Sequence, residues 1–448
     1  MTDWDPRALA VLERLEKAGF QAVLVGGCLR DGLLGLVPHD YDAATSALPE
    51  QVEAVCSCFS CAETGIRHGT VTVVSDGLPV EVTTFRREGN YSDHRRPDRV
   101  EFTASLEEDL ARRDFTVNAM AWRLSGQVID PFGGRADLSA RLVRCVGDPD
   151  CRFEEDALRV LRGLRLAAQL GFSLHPGTAA ALRRHVPQLA LVAWERIAAE
   201  WVRLLCSPGA GEILLGFPEA AAQVVPELGP CAGFDQRNPH HCWDVYTHSV
   251  KTLEGVPPVP ALRLAALLHD VGKPPCFSLD ERGTGHFYGH PKAGAALART
   301  ALERLRLPNA LRERAVTLVE RHHLPVEATE KWAGRWLARL GPDLLFDLLA
   351  LKRADALACA PGQDDGPAVL DRAEELAREL LRRSPCLTLK DLAVDGRDAL
   401  AAGLTGPAIG RALDSLLDGV AGGELPNDRT ALLEQLARYA SHSPSAGP

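Results

Sequence analysis

The chain has 448 residues, a net charge of −10 and a composition that is 46% hydrophobic and 25% charged. That length suits about three domains and a sizeable core, and the acidic balance argues against indiscriminate adhesion to polyphosphate backbones. No apolar run approaches the roughly twenty residues of a spanning helix and no charged-then-apolar leader opens the chain, so a cytoplasmic protein with no membrane partner is expected.

In chain order, Gln21–Val25 reads as a short apolar strand, Gly26-Gly27 as a turn, and Leu29–Leu34 as a helix. His39–Ala44 reads as a second strand carrying Asp40 and Asp42. Residues two apart on a strand share a face, so both acids can converge on one magnesium site. The Gly-Gly turn can bring backbone N–H groups against phosphate, with Arg30 as a planar, permanently charged fork. Together these parts predict a phosphoryl-transfer site. Cys56, Cys58 and Cys61 follow in Cys-Ser-Cys-Phe-Ser-Cys, with no obvious fourth metal ligand nearby, and read as reduced thiols in a helix. Glu81, in the alternating run Pro79–Phe85, is the candidate third acid. The basic, Gly-containing segment Arg86–Pro97 reads as a surface loop.

The stretch VGGCLRDGLLGLVPHDYDAATSALPEQV resembles the signature of class II nucleotidyltransferases, the family of bacterial tRNA CCA-adding enzymes and bacterial poly(A) polymerases. Arg112–Met120, Asp130–Gly134 and Glu155–Arg159 with Arg162 and Arg165 are similar to further motifs of that family, in its order. The resemblance implies that Asp40 and Asp42 hold Mg2+, that Arg112 and Arg113 lie near the triphosphate, and that Asp114 binds the ribose hydroxyl. It also implies that Glu155, Asp156 and Arg159 pair with the Watson–Crick edge of CTP or ATP. On the residues alone, Asp156, Arg159 and Arg162 share one face of a helix. The segment Arg86–Pro97 is similar to a loop that helps switch the templating site from C to A, which disfavours a CC-only enzyme.

Downstream, an apolar helix Leu264–Leu268 delivers His269-Asp270, preceded by His248 and followed by Lys273, His286, His290, His322-His323 and Asp355. This resembles the HD metal-dependent phosphohydrolase superfamily. The resemblance implies His248, His269, Asp270 and Asp355 as ligands of a divalent metal of unspecified identity, with Lys273, His290 and His322 or His323 extending toward phosphate or a second ion. His241 lies nearby without an assigned role.

The expected fold class is α+β: a small mixed-sheet nucleotidyltransferase head (1–145), an all-helical neck with the templating motif (146–205), an HD body (206–380) and a helical tail that resembles a tRNA-elbow cradle (381–448). Leu158, Leu161, Leu164, Leu166 and Ala167 form the neck's buried stripe, and Ser441–Pro448 read as disordered. The expected function is template-free addition of the 3′-terminal CCA to tRNA from CTP and ATP, with an HD phosphatase or 2′,3′-cyclic phosphodiesterase activity on nucleotides or RNA ends. A-only addition, polyadenylation and an HD hydrolase with an RNA-binding head are the alternatives; oligomeric state is not legible.

Overall fold

The computed structural model describes residues 4–65, 69–88, 100–238, 241–359, 366–383 and 386–442. They divide into two compact units, residues 1–226 and 227–448.

Unit 1 opens with α1 (Pro6–Lys17), β1 (Ala22–Val25), α2 (Gly26–Leu33), β2 (Tyr41–Thr45) and α3 (Pro49–Val55). Then come β3 (Ser60–Gly65), β4 (Thr70–Ser75), β5 (Leu78–Thr84), the ribbon β6 (Arg86–Glu88) and β7 (Val100–Phe102), α4 (Leu106–Ala111), β8 (Ala121–Trp122) and β9 (Val128–Ile129). Seven strands form one mixed sheet in the order β3-β4-β5-β2-β1-β8-β9. Among the described residues of this sheet only β2 and β5 pair in parallel, a register that α3 and the β3–β4 hairpin make possible by carrying the chain back across the sheet. Val80 and Val82 are buried while Glu81 is exposed, the alternation of a half-buried strand. Helix α1 covers the sheet with Ala8, Val11, Leu12 and Leu15, spaced to share one helical face.

Helices α5 (Gly134–Ser139), α6 (Pro149–Glu155), α7 (Arg159–Leu170), α8 (Pro176–His185), α9 (Trp194–Leu205), α10 (Ala210–Gly216) and α11 (Pro218–Val224) complete unit 1. The expected apolar stripe is buried, although Leu158 precedes α7. Gly163 lets α7 approach closely, since a Cβ there would meet the Phe115 ring at 3.0 Å. The single helix expected through Asp156 is instead broken. Asp156 is extended (φ −146°, ψ 102°) and ends α6, while α7 begins at Arg159.

Unit 2 contains α12 (Val245–Gly255), α13 (Pro260–Leu268), α14 (His290–Arg304), α15 (Asn309–Arg321), α16 (Glu330–Leu340), α17 (Pro342–Ala358) and α18 (Gly366–Arg382). The short helix α19 (Gly396–Ala401) and the longer α20 (Pro407–Ala421) and α21 (Arg429–His442) follow. Residues 261–268 of α13 are all buried, so this helix runs through the middle of its unit. Trp332, Leu337, Leu345, Leu349, Leu370 and Leu376 form a second core, and Leu392, Val394, Leu416, Leu432 and Leu436 a third toward the end of the chain. Among the described residues no helix is long and apolar enough to cross a membrane.

Gly334 of α16 packs directly against α20, where an added Cβ would run into the Ala421 carbonyl. We expect Gly334→Ala to cost about 1–3 kcal/mol by forcing the two helices apart. Thermal melts would report a lowered Tm, and amide exchange would show α20 losing protection first; an unchanged melt would contradict this packing.

Candidate active site and candidate metal centre

In unit 1, β1 ends where Gly26 turns at φ +71°, a conformation that glycine adopts without strain. Its missing side chain also matters, because a Cβ would lie 3.2 Å from Asp42 Oδ2 and 3.3 Å from an Arg113 nitrogen. The start of α2, with Gly26 and Gly27, therefore faces an acid–arginine pair. Asp42 sits on β2 and Asp40 just ahead of it, with the buried Tyr41 between them pointing the other way, where its hydroxyl accepts from the Asp5 N–H at 3.2 Å. Parallel pairing sets Asp42 directly beside Glu81. Burial, with Glu81 and Asp40 adding to it and Arg113 opposing, pushes the Asp42 carboxyl up to about 6. Carboxylates crowded this way repel one another, and an all-oxygen donor set suits a hard divalent cation.

The arginines of the second motif are held by a buried acid that the sequence reading did not single out. Asp109, fully buried, takes Arg112 at 2.8 Å and Arg113 at 3.2 Å. Arg30 does not fan out over the glycine turn as a free phosphate fork. It is buried, with Nε on Asp31 at 2.8 Å and a terminal nitrogen on Asn118 Oδ1 at 2.8 Å, so it pins the start of α2 to the segment after Asp114. Asp114 is likewise engaged: Arg162 donates to it at 2.6 Å and the Phe115 N–H at 2.9 Å. Burial would raise its carboxyl, but Arg162 and Arg159 hold it well below the usual carboxylate range.

At the break between α6 and α7, Glu155 pairs with Arg159, which also donates to the Arg152 carbonyl at 3.1 Å and the Arg112 carbonyl at 3.2 Å. Asp156 accepts from the Leu158 N–H at 3.1 Å and from Arg196 at 2.7 Å. Glu200, one turn beyond Arg196 on α9, is buried and takes Arg165. Arg196 and Glu200 were not found by sequence reasoning; their i, i+4 spacing was the available signal. The expected switching loop Arg86–Pro97 falls largely outside the described residues; Arg86 and Arg87 lie on β6. Cys56 ends α3 and Cys61 lies on β3, so the three thiols do not share a helix, and among the described residues they form no metal-type group.

In unit 2, five helices deliver one constellation. His248 comes from α12, His269 and Asp270 from the end of α13, His290 from the start of α14, His322 from the end of α15, and Asp355 from α17. His248 Nε2 lies 2.9 Å from Asp355 Oδ1, and His269 Nε2 lies 3.2 Å from Asp270 Oδ2 and 3.6 Å from Asp355 Oδ1. His290 Nε2 and His322 Nε2 approach the other oxygen of Asp270 at 3.5 and 3.7 Å. Gly272 allows α13 and α14 to meet, since a Cβ there would strike the His290 carbonyl. Lys273 is bound to Asp270 at 2.6 Å and Gln236 at 2.8 Å. His323 is exposed, which makes His322 the inward member of the pair; the unassigned His241 joins the cluster 3.3 Å from Lys273.

Three of these imidazoles share one device. His269, His290 and His322 each place Nδ1 2.7–2.8 Å from the carbonyl three residues earlier, which fixes the ring and turns Nε2 inward. Burial pushes His290 down to about 4 and His322 to about 3, so both are neutral near pH 7. With Nδ1 donating, their Nε2 lone pairs face each other at 3.2 Å. That contact is repulsive unless a cation or proton lies near it, and the nitrogen-plus-carboxylate set fits a divalent transition metal.

A model of the poly(A) polymerase head domain matches residues 22–144, a model of the probable RNA and SrmB-binding site of polymerase A matches 171–219, and an HD domain model matches 240–360. Fold and match together define a nucleotidyltransferase followed by an HD domain, and proteins of both kinds generally use divalent metals. A CCA-adding enzyme of Levilactobacillus brevis is 36% identical over 433 residues, 95% of this chain and 96% of that one. The chain belongs to the CCA-adding enzyme family. Among solved structures, the Bacillus stearothermophilus CCA-adding enzyme in complex with CTP is 31% identical with a TM-score of 0.75, covering 97% of this chain and 98% of that one. The Thermotoga maritima enzyme complexed with tRNA shares the fold at 19% identity, TM-score 0.58, covering 97% and 96%.

Asp109 yields a stability prediction. Burial alone would raise its carboxyl, but Arg113 and Arg112 keep it below the ordinary value. Its contribution is therefore fully present above the unfolded carboxylate value, near pH 4, and is lost as pH falls from there through the lowered folded value. Asp109→Asn is expected to lose about 3–5 kcal/mol at pH 7, since it removes the buried acid that Arg112 and Arg113 share. In urea titrations the gap to wild type should narrow below about pH 4; a gap independent of pH would contradict the assignment.

Proposed function

We propose that this protein adds CCA to the 3′ end of tRNA, taking CTP and then ATP without a nucleic-acid template, at the carboxylate cluster of unit 1. The supporting observation is the side-by-side register of Asp42 and Glu81, with Asp40 adjacent and the Gly26 turn against them, in a chain that matches a CCA-adding relative over nearly its whole length. In this reading Asp40, Asp42 and Glu81 hold magnesium. When bound, such ions activate the RNA 3′-hydroxyl and offset charge on the departing pyrophosphate.

The chain's own residues supply the rest. The N–H groups of Gly26 and Gly27 face the triphosphate, Arg113 balances charge at the Asp42 edge, and Arg112 works beside it from the shared Asp109 anchor. Arg30 supports the turn from below through Asn118. Arg159 donates to the Watson–Crick edge of the incoming base while Glu155 and Asp156 accept, which suits the mixed edges of both C and A. Asp114 offers its acceptor to the ribose while orienting Arg162. All are held in place before a nucleotide arrives, so little ordering is left for the moment of reaction.

A second activity is favoured by the inward Nε2 atoms around Asp270. We read the HD cluster as a phosphatase or 2′,3′-cyclic phosphodiesterase for nucleotides or RNA ends, with His248, His269, Asp270 and Asp355 as one ligand set. His290 and His322 extend it, and Lys273 and His323 serve the phosphate.

Transcripts ending before CCA, after CC, or of unrelated sequence, incubated with CTP and ATP, should gain three, one and no nucleotides. Extension of the CC transcript with none of the transcript that ends before CCA would point to an A-adding enzyme instead, and long A tails to a poly(A) polymerase. Asp42→Ala should lower addition by roughly a thousandfold or more. His269→Ala should leave addition intact and remove phosphate release; loss of both together would contradict two separate sites.

A further inference from the structure

Asp270, His290, His322 and Asp355 of the HD constellation line a cavity of about 1110 Å³, far more room than a phosphate fills. Two of its lining residues are apolar or aromatic yet strongly exposed: Tyr288 is 79% exposed and Leu357 69%. Each is tied to a residue of the cluster, Tyr288 two positions before His290 and Leu357 two after Asp355. Gly289, at φ +81°, lets the backbone turn so that the tyrosine stays in solvent while His290 is buried. The Tyr288 ring is also held. His286 stacks on it with centroids 5.4 Å apart and planes 8° from parallel, and His286 is itself fixed by Asp280 at 3.1 Å. A flat ring backed on one face and open to a cavity, beside a cationic and imidazole-lined floor, matches a molecule with a planar heterocycle at one end and a phosphate at the other.

We propose that Tyr288 is a base-stacking platform that makes the HD cavity selective for nucleoside phosphates over base-free phosphate esters. For its chemistry this rests on the hydrolase reading above, but binding separates the two. The ligand has two sources, a free nucleotide or the terminal nucleoside of an RNA. An RNA ending in a 2′,3′-cyclic phosphate, assayed beside 2′,3′-cyclic AMP, tells them apart.

The full-length protein and its Tyr288→Ala and Tyr288→Phe variants would be assayed on 2′,3′-cyclic AMP, that RNA, and ribose 5-phosphate. Stacking is worth about 1–3 kcal/mol per base, so Tyr288→Ala should lower kcat/KM for the base-bearing substrates about 5- to 150-fold, mainly through KM. Tyr288→Phe should retain activity, and ribose 5-phosphate turnover should be unchanged in both variants. In parallel, a 2-aminopurine riboside 2′-phosphate should be quenched on binding wild type and Tyr288→Phe, and less by Tyr288→Ala. Equal losses on all three substrates, or unaltered turnover and quenching in Tyr288→Ala, would overturn the proposal. If wild type hydrolyses nothing but the quenching difference remains, the platform stands and the hydrolase reading fails.

Discussion

Unit 1 is organised around a repulsion. Asp42 and Glu81 lie side by side on parallel strands, Asp40 is next to them, and Arg113 is the cation that opposes them in raising and lowering the Asp42 carboxyl. Such crowding persists only because the surrounding structure fixes it: buried Val80 and Val82 set the face of β5, Tyr41 anchors β2 from the other side, and Gly26 leaves room for the acid against the turn. A divalent cation held there would lower that repulsion, which is why the geometry suits metal-assisted phosphoryl transfer in the proposed reading.

Around that centre nearly every charged side chain has a partner. Asp109 gathers Arg112 and Arg113, Arg162 reaches Asp114, Arg159 reaches Glu155, and α9 contributes Arg196 to Asp156 and Glu200 to Arg165. A base read by protein side chains needs donors and acceptors whose directions do not wander, because discrimination between C and A turns on one hydrogen-bond pattern against another. Buried ion pairs contribute little net stability, yet losing one partner is costly, so this network holds orientation more than it holds the fold.

In the HD unit the same end is reached with imidazoles gathered around two carboxylates. Carbonyl anchors fix three imidazoles and turn their Nε2 atoms inward; burial keeps His290 and His322 uncharged near neutral pH, whereas at His269 the cost of burial is outweighed by Asp270 and Asp355, which push it up to about 10. Helix ends, rather than a loop, carry most of the donors, so the floor of the cavity is as rigid as the packing of α12 to α15 and α17.

Much of this was legible in the chain. The two-residue spacing of Asp40 and Asp42 marked two acids that act on one another, although only Asp42 lies on β2, and the apolar run before His269-Asp270 marked a buried helix that ends on the pair. Tertiary structure alone decided what depended on distant partners. Glu81 became a neighbour of Asp42 through strand register, and Arg30 and Asp114 were drawn into pairs with Asn118 and Arg162. The helix expected across Asp156 broke where that residue turned extended and met Arg196, 40 positions on. His322 was separated from His323 by burial. Local spacing records which faces residues share along one element; it carries no information on which other element will pack against that face, and that choice fixes each side chain's partner.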